Sequence, residues 1–488
     1  MTTTAFSELS ISQLYTRLSS IVIDSRDSRS TFSNWAKTFS CRPLTVFLPN
    51  TEDDCQAIVE LARREQKSVR CVGAGHSPSD LACTTGFMIR TDNLTKVFEV
   101  DIEKNVVEVQ SGISLHAFHR LLASHGLAMS NLGSISDQSI GGILTTATHG
   151  SGVDYPVISA GVTSLTMLLA DNTIVECSRE SFEDLFLATL CGLGTTGMIL
   201  RVRIAVERAF RLDETIEPVE FDQFVEPDNF ERIAGSSQHT RVWWFPQVGK
   251  VSVGCANRTS APPDPAPGWG AYFRNVIFGF HIVQFLLFVS RFIPSLTPPV
   301  CRLVWKHLNG RTQRHIGDSY KVFNFDCLFP QYTTEWAIPA ESAPECLKEL
   351  RTWLDQEAAK ADGVRIHFPI EIRWTKEDDI WLSPSYGRKT VYIGIVQFRP
   401  YGLPVSYRRY FANFVRIVKS YEGRPHWAKA HNLTPGNLRA LYPKFDAFVE
   451  LMGRYDPDGL FENEYVKRHL LGMPIGDGVF RSSGRVGE

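Results

Sequence analysis

Apolar and polar positions change their period several times along the chain, and each change predicts an element. Ala57, Ile58, Leu61 and Ala62 recur at helical spacing behind Asn50-Thr51-Glu52-Asp53, which predicts a capped helix running to about Gln66. Ser7 to Ser20 reads as a shorter helix, and His116 to Gly126 as another that stops on glycine. At Ser68 to Val72 a strand is predicted, running into Gly73-Ala74-Gly75-His76. Val97 to Gln110, broken at Glu103-Lys104-Asn105, and Leu165 to Cys177, turning at Asp171-Asn172, each read as a β-hairpin. Phe182 to Leu190 is helical in pattern, and Met198 to Val206 is an alternating strand. The first 210 residues therefore predict a mixed α+β unit with two small sheets.

Beyond Phe210 the texture changes. Acidic residues cluster from Asp213 to Glu231, and Ala261 to Gly268 holds four prolines in eight residues, the mark of a linker or surface loop. Asn275 to Ser290 lies between Arg274 and Arg291 with His281 as its one ionisable side chain. Sixteen residues are short of the roughly 20 that span a bilayer. Two readings stand, a core helix or a helix lying on a membrane surface. Farther on, Ile366 to Trp374 and Lys389 to Phe398 predict strands, Val405 to Tyr421 a helix, and Pro425 to Leu471 loop and helix without a repeat.

The chain has 488 residues, of which 43% are hydrophobic and 21% charged, which fits two or three packed units and excludes general disorder. With 51 basic and 53 acidic residues, no net charge draws it to nucleic acid, so any phosphate must be gripped locally. The ten cysteines, at 41, 55, 71, 83, 177, 191, 255, 301, 327 and 346, include no C-x-x-C pair, and free thiols in a reducing compartment are expected. Met1 to Ser20 does not read as a secretory signal. His116 and His119 share a helical face near His125, yet no carboxylate completes a metal set, so no metal is predicted.

Glycine clusters carry the chemistry. Gly192 to Gly197 spells G-x-G-x-x-G, but a helix precedes it and a strand follows, the reverse of the dinucleotide-binding order. A second group comprises Val72 to Asp80, Gly133 to Ser136, and Gly141 to Gly150. Its glycines admit main-chain N–H groups to phosphate oxygens, while Ser77, Ser79, Ser134 and Thr145 add hydroxyl donors. In the second half, Glu371 and Arg373 alternate along one strand and project to one side, where a surface ion pair is the bland reading. Trp243-Trp244-Phe245, Trp374 and Trp381 read as core or pocket wall.

V-G-x-G-H-S-P-S-D at Val72 to Asp80, P-I-E-I-R at Pro369 to Arg373, and H-W-x-K at His426 to Lys429 together resemble the vanillyl-alcohol oxidase type of FAD flavoproteins, and within it the aldonolactone oxidases. The resemblance runs from about Asn34 to Leu471. It implies an α+β fold: a two-subdomain FAD-binding domain over residues 34–210 after an N-terminal segment 1–33, a cap domain on a largely antiparallel sheet over 211–424, and a C-terminal segment 425–488 that returns to the flavin. It implies FAD joined covalently to His76, and cradled by Gly73, Ala74, Gly75, Ser77, Ser79, Gly133, Ser134, Ser136, Gly141, Gly142, Thr145, His149, Gly194, Gly197, Ile199, Arg373 and His426.

The same resemblance makes Glu371, Arg373 and Lys429 the catalytic set, with Ser134, Glu371 and Lys429 on the substrate. The implied reaction oxidises a sugar 1,4-lactone at C2, D-arabinono-1,4-lactone ahead of L-gulono-1,4-lactone, reducing dioxygen to hydrogen peroxide. Gly133 and His76 favour an oxidase over a dehydrogenase that feeds cytochrome c, and the presence of His76, Glu371, Arg373 and Lys429 together disfavours a flavin-free binding protein. It also tips Asn275 to Ser290 towards a mitochondrial or endoplasmic reticulum membrane.

Overall fold

A computed structural model describes residues 6–265, 268–324, 329–476 and 479–482, so Cys327 and part of the proline-rich stretch lie outside the described residues. The first half follows its sequence pattern closely. Thr51 caps helix Glu52–Glu65 in a reciprocal box with Asp54, and Ala57, Ile58, Leu61 and Ala62 are fully buried. This helix belongs to the core of a three-stranded parallel sheet ordered Thr45–Phe47, Phe87–Arg90, Val69–Val72. Both predicted hairpins enter a five-stranded antiparallel sheet, in which Met198–Ala205 pairs with Val162–Leu168 on one side and Val106–Gln110 on the other. Two short ribbons, Phe32–Ser33 with Ser40–Cys41 and Leu127–Ala128 with Glu207–Arg208, add to the two sheets expected.

The second half is built on one eight-stranded antiparallel sheet. Its order is Gln313–Asp318, Arg211–Glu220, Lys250–Thr259, His239–Phe245, Ile370–Thr375, Thr390–Phe398, Gln331–Pro339, Arg424–Pro425. The acidic run after Phe210, to which the sequence assigned no element, begins on a ten-residue interior strand, Arg211–Glu220, and continues through helices Phe221–Phe224 and Pro227–Ala234. Three of the strand's acids are met from other strands: Asp213 by Arg314 at 2.5 Å and Glu220 by Lys250 at 2.5 Å from the two flanking strands, and Glu214 by Arg241 at 3.8 Å from the strand beyond. The strand expected from Ile366 starts only at Ile370, because Pro369 has no N–H to give the ladder.

Alternation sends Trp336, Ile338, Ile370, Ile372, Ile393 and Ile395 into the main core, shared with helices Ala343–Ala359 and Arg408–Ser420. The opposite face carries polar groups and lines a cavity. Helices from the C-terminal part lock the first half to the second: Arg468 donates twice to the buried Asp80 carboxylate, at 2.9 and 2.8 Å, and Asn463 donates to the carbonyls of Leu81 and Cys83. The Val72 to Asp80 loop is held at its far end by these bonds.

The apolar stretch forms one helix, Trp269–Ser290, long and apolar enough by length and composition to cross a membrane. Only 28% of its most apolar window is buried, too little for the core-helix reading. Val283 and Leu287 pack inward on helix Thr297–Val304, while Phe273, Ile282 and Phe285 remain exposed.

Candidate active site

A cavity of about 550 Å3 lies between the eight-stranded sheet and the loops of the first half. His76, Ser77, Gly133, Ser134, His149, Glu371, Arg373, His426 and Lys429 all line it, drawn from five separate segments of the chain. Gly73, Ala74, Gly75, Ser79, Ser136, Gly141, Gly142, Thr145, Gly194, Gly197 and Ile199 do not line it. Several of these form a second, contiguous group: Gly141 N–H donates to the Ser111 carbonyl, Ser111 Oγ donates to the Ile199 carbonyl at 2.6 Å, and a Cβ on Gly73 would strike Ser139 Oγ. Gly194, at a positive φ of 70°, sits against the buried Arg70 guanidinium, which donates to its carbonyl at 3.4 Å. Two expected hydroxyl donors are engaged elsewhere: Thr145 donates to the Gly141 carbonyl of its own helix, and Ser136 meets His119.

His76 stacks on Trp35 with ring centroids 4.7 Å apart, and its Nε2 is buried with no protein partner. Burial, with Lys429 nearby, pushes its pKa down to about 4, so the imidazole is neutral near pH 7. A bare buried nitrogen on a cavity wall is what an attachment atom requires, and the neutral donors around it suit a large flavin ring better than a small anion. These residues fit FAD.

Strand register brings the charges together. Trp243, Glu371, Gly394 and Glu335 fall in one row across four strands, with Arg241 opposite Arg373 in the next. Arg373 donates to Glu335 at 2.7 Å, stands 3.4 Å from Glu371, and reaches Ser134 Oγ and the His149 carbonyl at 3.4 Å. Glu335 also lies 3.3 Å from His149 Nε2 and 3.9 Å from Lys429 Nζ. Burial alone would raise the Glu335 carboxyl, but Arg373, His149 and His426 hold it well below the usual carboxylate range. Glu371 moves the other way, raised by burial and by the Glu335 charge against Arg373, Arg241 and Lys429. Glu371 and Glu335 raise the Arg373 pKa despite its burial. The two acids next to one arginine therefore have opposite character.

The His426 to Lys429 segment is pinned on both sides. Arg424 donates to three carbonyls, at Leu441, Pro384 and Tyr386, and the buried Trp427 indole donates to Leu382 at 2.6 Å. Ala428 N–H donates to His426 Nδ1, so the neutral ring, kept neutral by burial, carries its proton on Nε2. His149 stacks on Tyr392 at 3.5 Å. His149, Glu335 and His426 hold their ligating atoms within 4.8 Å of one another, a cluster the sequence reading missed. Arg373 and Lys429 already meet this carboxylate, which disfavours a further cation there. His116, His119 and His125 have separate partners in Asp137, Ser136 and the Leu121 carbonyl.

Glu335 and Arg241 are the functional candidates that sequence reasoning passed over. One signal was available: each is an ionisable residue inside an apolar alternating run, Thr334-Glu335-Trp336-Ala337-Ile338 and Arg241-Val242-Trp243-Trp244-Phe245. Of the aromatics weighed as core or pocket wall, Trp243 and Phe245 line the cavity, while Trp244, Trp374 and Trp381 are buried in the core.

Residues 43–178 match the family described as an FAD binding domain, and residues 202–469 the family described as D-arabinono-1,4-lactone oxidase. L-gulonolactone oxidase of Bos taurus is 38% identical over 90% of this chain and 97% of its own. D-arabinono-1,4-lactone oxidase of Eremothecium gossypii is 32% identical over 82% of this chain and 83% of its own. A solvent-stable cholesterol oxidase superposes with a TM-score of 0.73 at 18% identity, over 90% of this chain and 97% of that one, which supports the α+β fold. Match, coverage and fold agree: the chain belongs to the D-arabinono-1,4-lactone oxidase family of FAD-linked oxidoreductases.

Proposed function

We propose that the protein oxidises the C2 carbinol of a five-membered sugar lactone, with dioxygen as acceptor and hydrogen peroxide as product. The observation that carries this reading is the cluster of Glu371, Arg373, Glu335 and Lys429 on a cavity that His76, His149 and His426 also line. FAD, when bound, supplies the two-electron acceptor for the hydride. His76, Ser77, Gly133, His149 and His426 would hold its ring, and the glycine loops around Gly73, Gly141 and Gly194 its phosphates and adenosine.

The chain's own side chains do the rest. Glu371 accepts hydrogen bonds from lactone hydroxyls, together with Ser134 Oγ, 3.4 Å away. Lys429 meets the carbonyl side of the ring. Arg373, fixed by Glu335, places a cation where negative charge builds as hydride leaves C2, and such preorganised groups contribute about 100-fold or more to turnover. Space at Gly133 supports dioxygen as acceptor: an added Cβ would come within 3.2 Å of Thr148 Cγ2 and 3.4 Å of the His149 carbonyl, narrowing the wall beside the ring.

Identity of 38% to a gulonolactone oxidase against 32% to an arabinonolactone oxidase moves L-gulono-1,4-lactone ahead of D-arabinono-1,4-lactone. The membrane reading rests on charge as well as apolarity. From Pro265 to Gly317 the chain holds Arg274, Arg291, Arg302, Lys306, Arg311 and Arg314 and no acidic residue, around a helix whose Trp269, Phe273 and Phe285 are exposed. A cationic apolar surface suits anionic lipid.

Three outcomes are expected. With a panel of gulono-, arabinono- and galactono-lactones, the holoenzyme should release one peroxide per lactone consumed, fastest with L-gulono-1,4-lactone; no peroxide with any of them defeats the reading. Intact mass should show a flavin increment on the wild type and none on His76→Ala; a wild type without it removes the covalent assignment. In flotation with vesicles of anionic lipid, wild type should rise with the vesicles and a Phe273→Ser/Phe285→Ser protein should stay behind, whereas a wild type left at the bottom makes the helix an ordinary surface feature.

A further inference from the structure

The cavity of about 550 Å3 has an apolar end as well as a charged one. Its sheet wall changes character along the strands. Past the charged row, Val396 stands opposite Thr333 and Phe398 opposite Gln331, and Phe245 and Phe368 join them. Phe368 packs on Phe245 at 5.9 Å and on Phe398 at 6.1 Å, an aromatic floor with no charge. The roof over this floor is the apolar helix pair. Val283 of Trp269–Ser290, with Val304 and Leu308 of the following helix, faces the same void as Arg373 and Lys429.

Two features mark the roof as more than a lid. Beside the void it passes from π-helix to α-helix and back: Gly279 lies in the π-helical Phe273–Ile282 and Leu308 in the π-helical Trp305–Asn309, while Val283 and Val304 lie on the α-helical turns between, and π winding is uncommon and concentrated at functional sites. Its outer side is apolar and exposed, with Trp269 78% and Phe292 70% exposed, within a stretch of chain that holds no acidic residue from Pro265 to Gly317. The same few helical turns thus separate a bilayer-compatible face from the apolar end of the catalytic cavity.

A sugar lactone is covered in hydroxyls and has no use for a pocket of phenyl rings and branched aliphatics, whose burial rewards only apolar surface. Dioxygen is too small to require one. The remaining reactant of a two-electron oxidation is an electron acceptor, and the acceptor that dissolves in a bilayer and carries a hydrocarbon tail is a substituted benzoquinone. We infer that the apolar arm bounded by Phe245, Phe368, Phe398, Val283, Val304 and Leu308 binds the tail of a membrane quinone, which serves as a second electron acceptor. This rests on the lactone-oxidation reading. The lactone carbinol loses two electrons and two protons in becoming a carbonyl; the quinone gains two electrons and two protons, and its two carbonyls become the hydroxyls of the quinol.

The test uses holoenzyme, a benzoquinone with a ten-carbon tail and the same headgroup without a tail. Binding is read without lactone, from quenching of tryptophan fluorescence, since Trp243 and Trp35 line the cavity. Electron transfer is read anaerobically, as quinol formed on adding lactone. Wild type should bind the tailed quinone at least tenfold more tightly than the untailed one and reduce it in a lactone-dependent manner. Leu308→Phe and, as a second filling, Val304→Phe should abolish the tail preference in binding while leaving peroxide production from lactone and dioxygen within twofold of wild type. Equal binding of the two quinones by wild type, or a tail preference that survives in both variants, overturns the inference. Tail-dependent binding without quinol, in an enzyme that still reduces dioxygen, overturns the acceptor role. If no lactone reduces any acceptor, the lactone reading is what fails, and the binding comparison still decides whether the arm takes the tail.

Discussion

A carboxylate with almost no solvent access, Glu335, faces Arg373 at 2.7 Å, His149 at 3.3 Å and Lys429 at 3.9 Å, and the charged side of the cavity depends on it. Without this anion two cations would sit on one low-dielectric wall with only the raised, partly offset Glu371 to balance them. Removing one member of such a buried pair typically costs about 3–5 kcal/mol. Gly394 stands between Glu335 and Glu371 in the sheet, and a Cβ there would touch both side chains at 3.7 Å, an ordinary contact distance. The opposite pKa shifts of the two acids follow from this geometry. Glu335 remains ionised as a fixed counter-charge, and Glu371 is left as the carboxylate with capacity to receive a ligand.

Much of the first half was legible because its elements are decided within a few residues. The Thr51 cap, the hairpins of Val97 to Gln110 and Leu165 to Cys177, and the glycine stop at Gly126 each read directly from local pattern and recur in the structure. The strand Arg211–Glu220 was not legible, since its acidic side chains look like loop until Arg314, Arg241 and Lys250 arrive from other strands. The same holds at the site. Glu371 and Arg373 share one strand and could be paired from spacing, but Glu335 meets Arg373 only through the register of Thr390–Phe398 between them. Long-range pairing leaves little trace in local sequence.

The helix Trp269–Ser290 shows a different kind of ambiguity. Apolar composition is the same for a core helix, a membrane-surface helix and the roof of a cavity, and only exposure separates them. Here one helix carries an exposed outer side and an inner side on the cavity, a division that composition alone does not show.

The measurement that bears most directly on the account is the rate at which lactone reduces the bound flavin, taken anaerobically for wild type, Glu335→Gln, Arg373→Met and the double variant. If Glu335 acts by holding Arg373, each single change slows reduction strongly and the double variant is no slower than Arg373→Met alone. Losses that multiply in the double variant, or a Glu335→Gln protein that reduces at the wild-type rate, would contradict the claim that this buried pair organises the site.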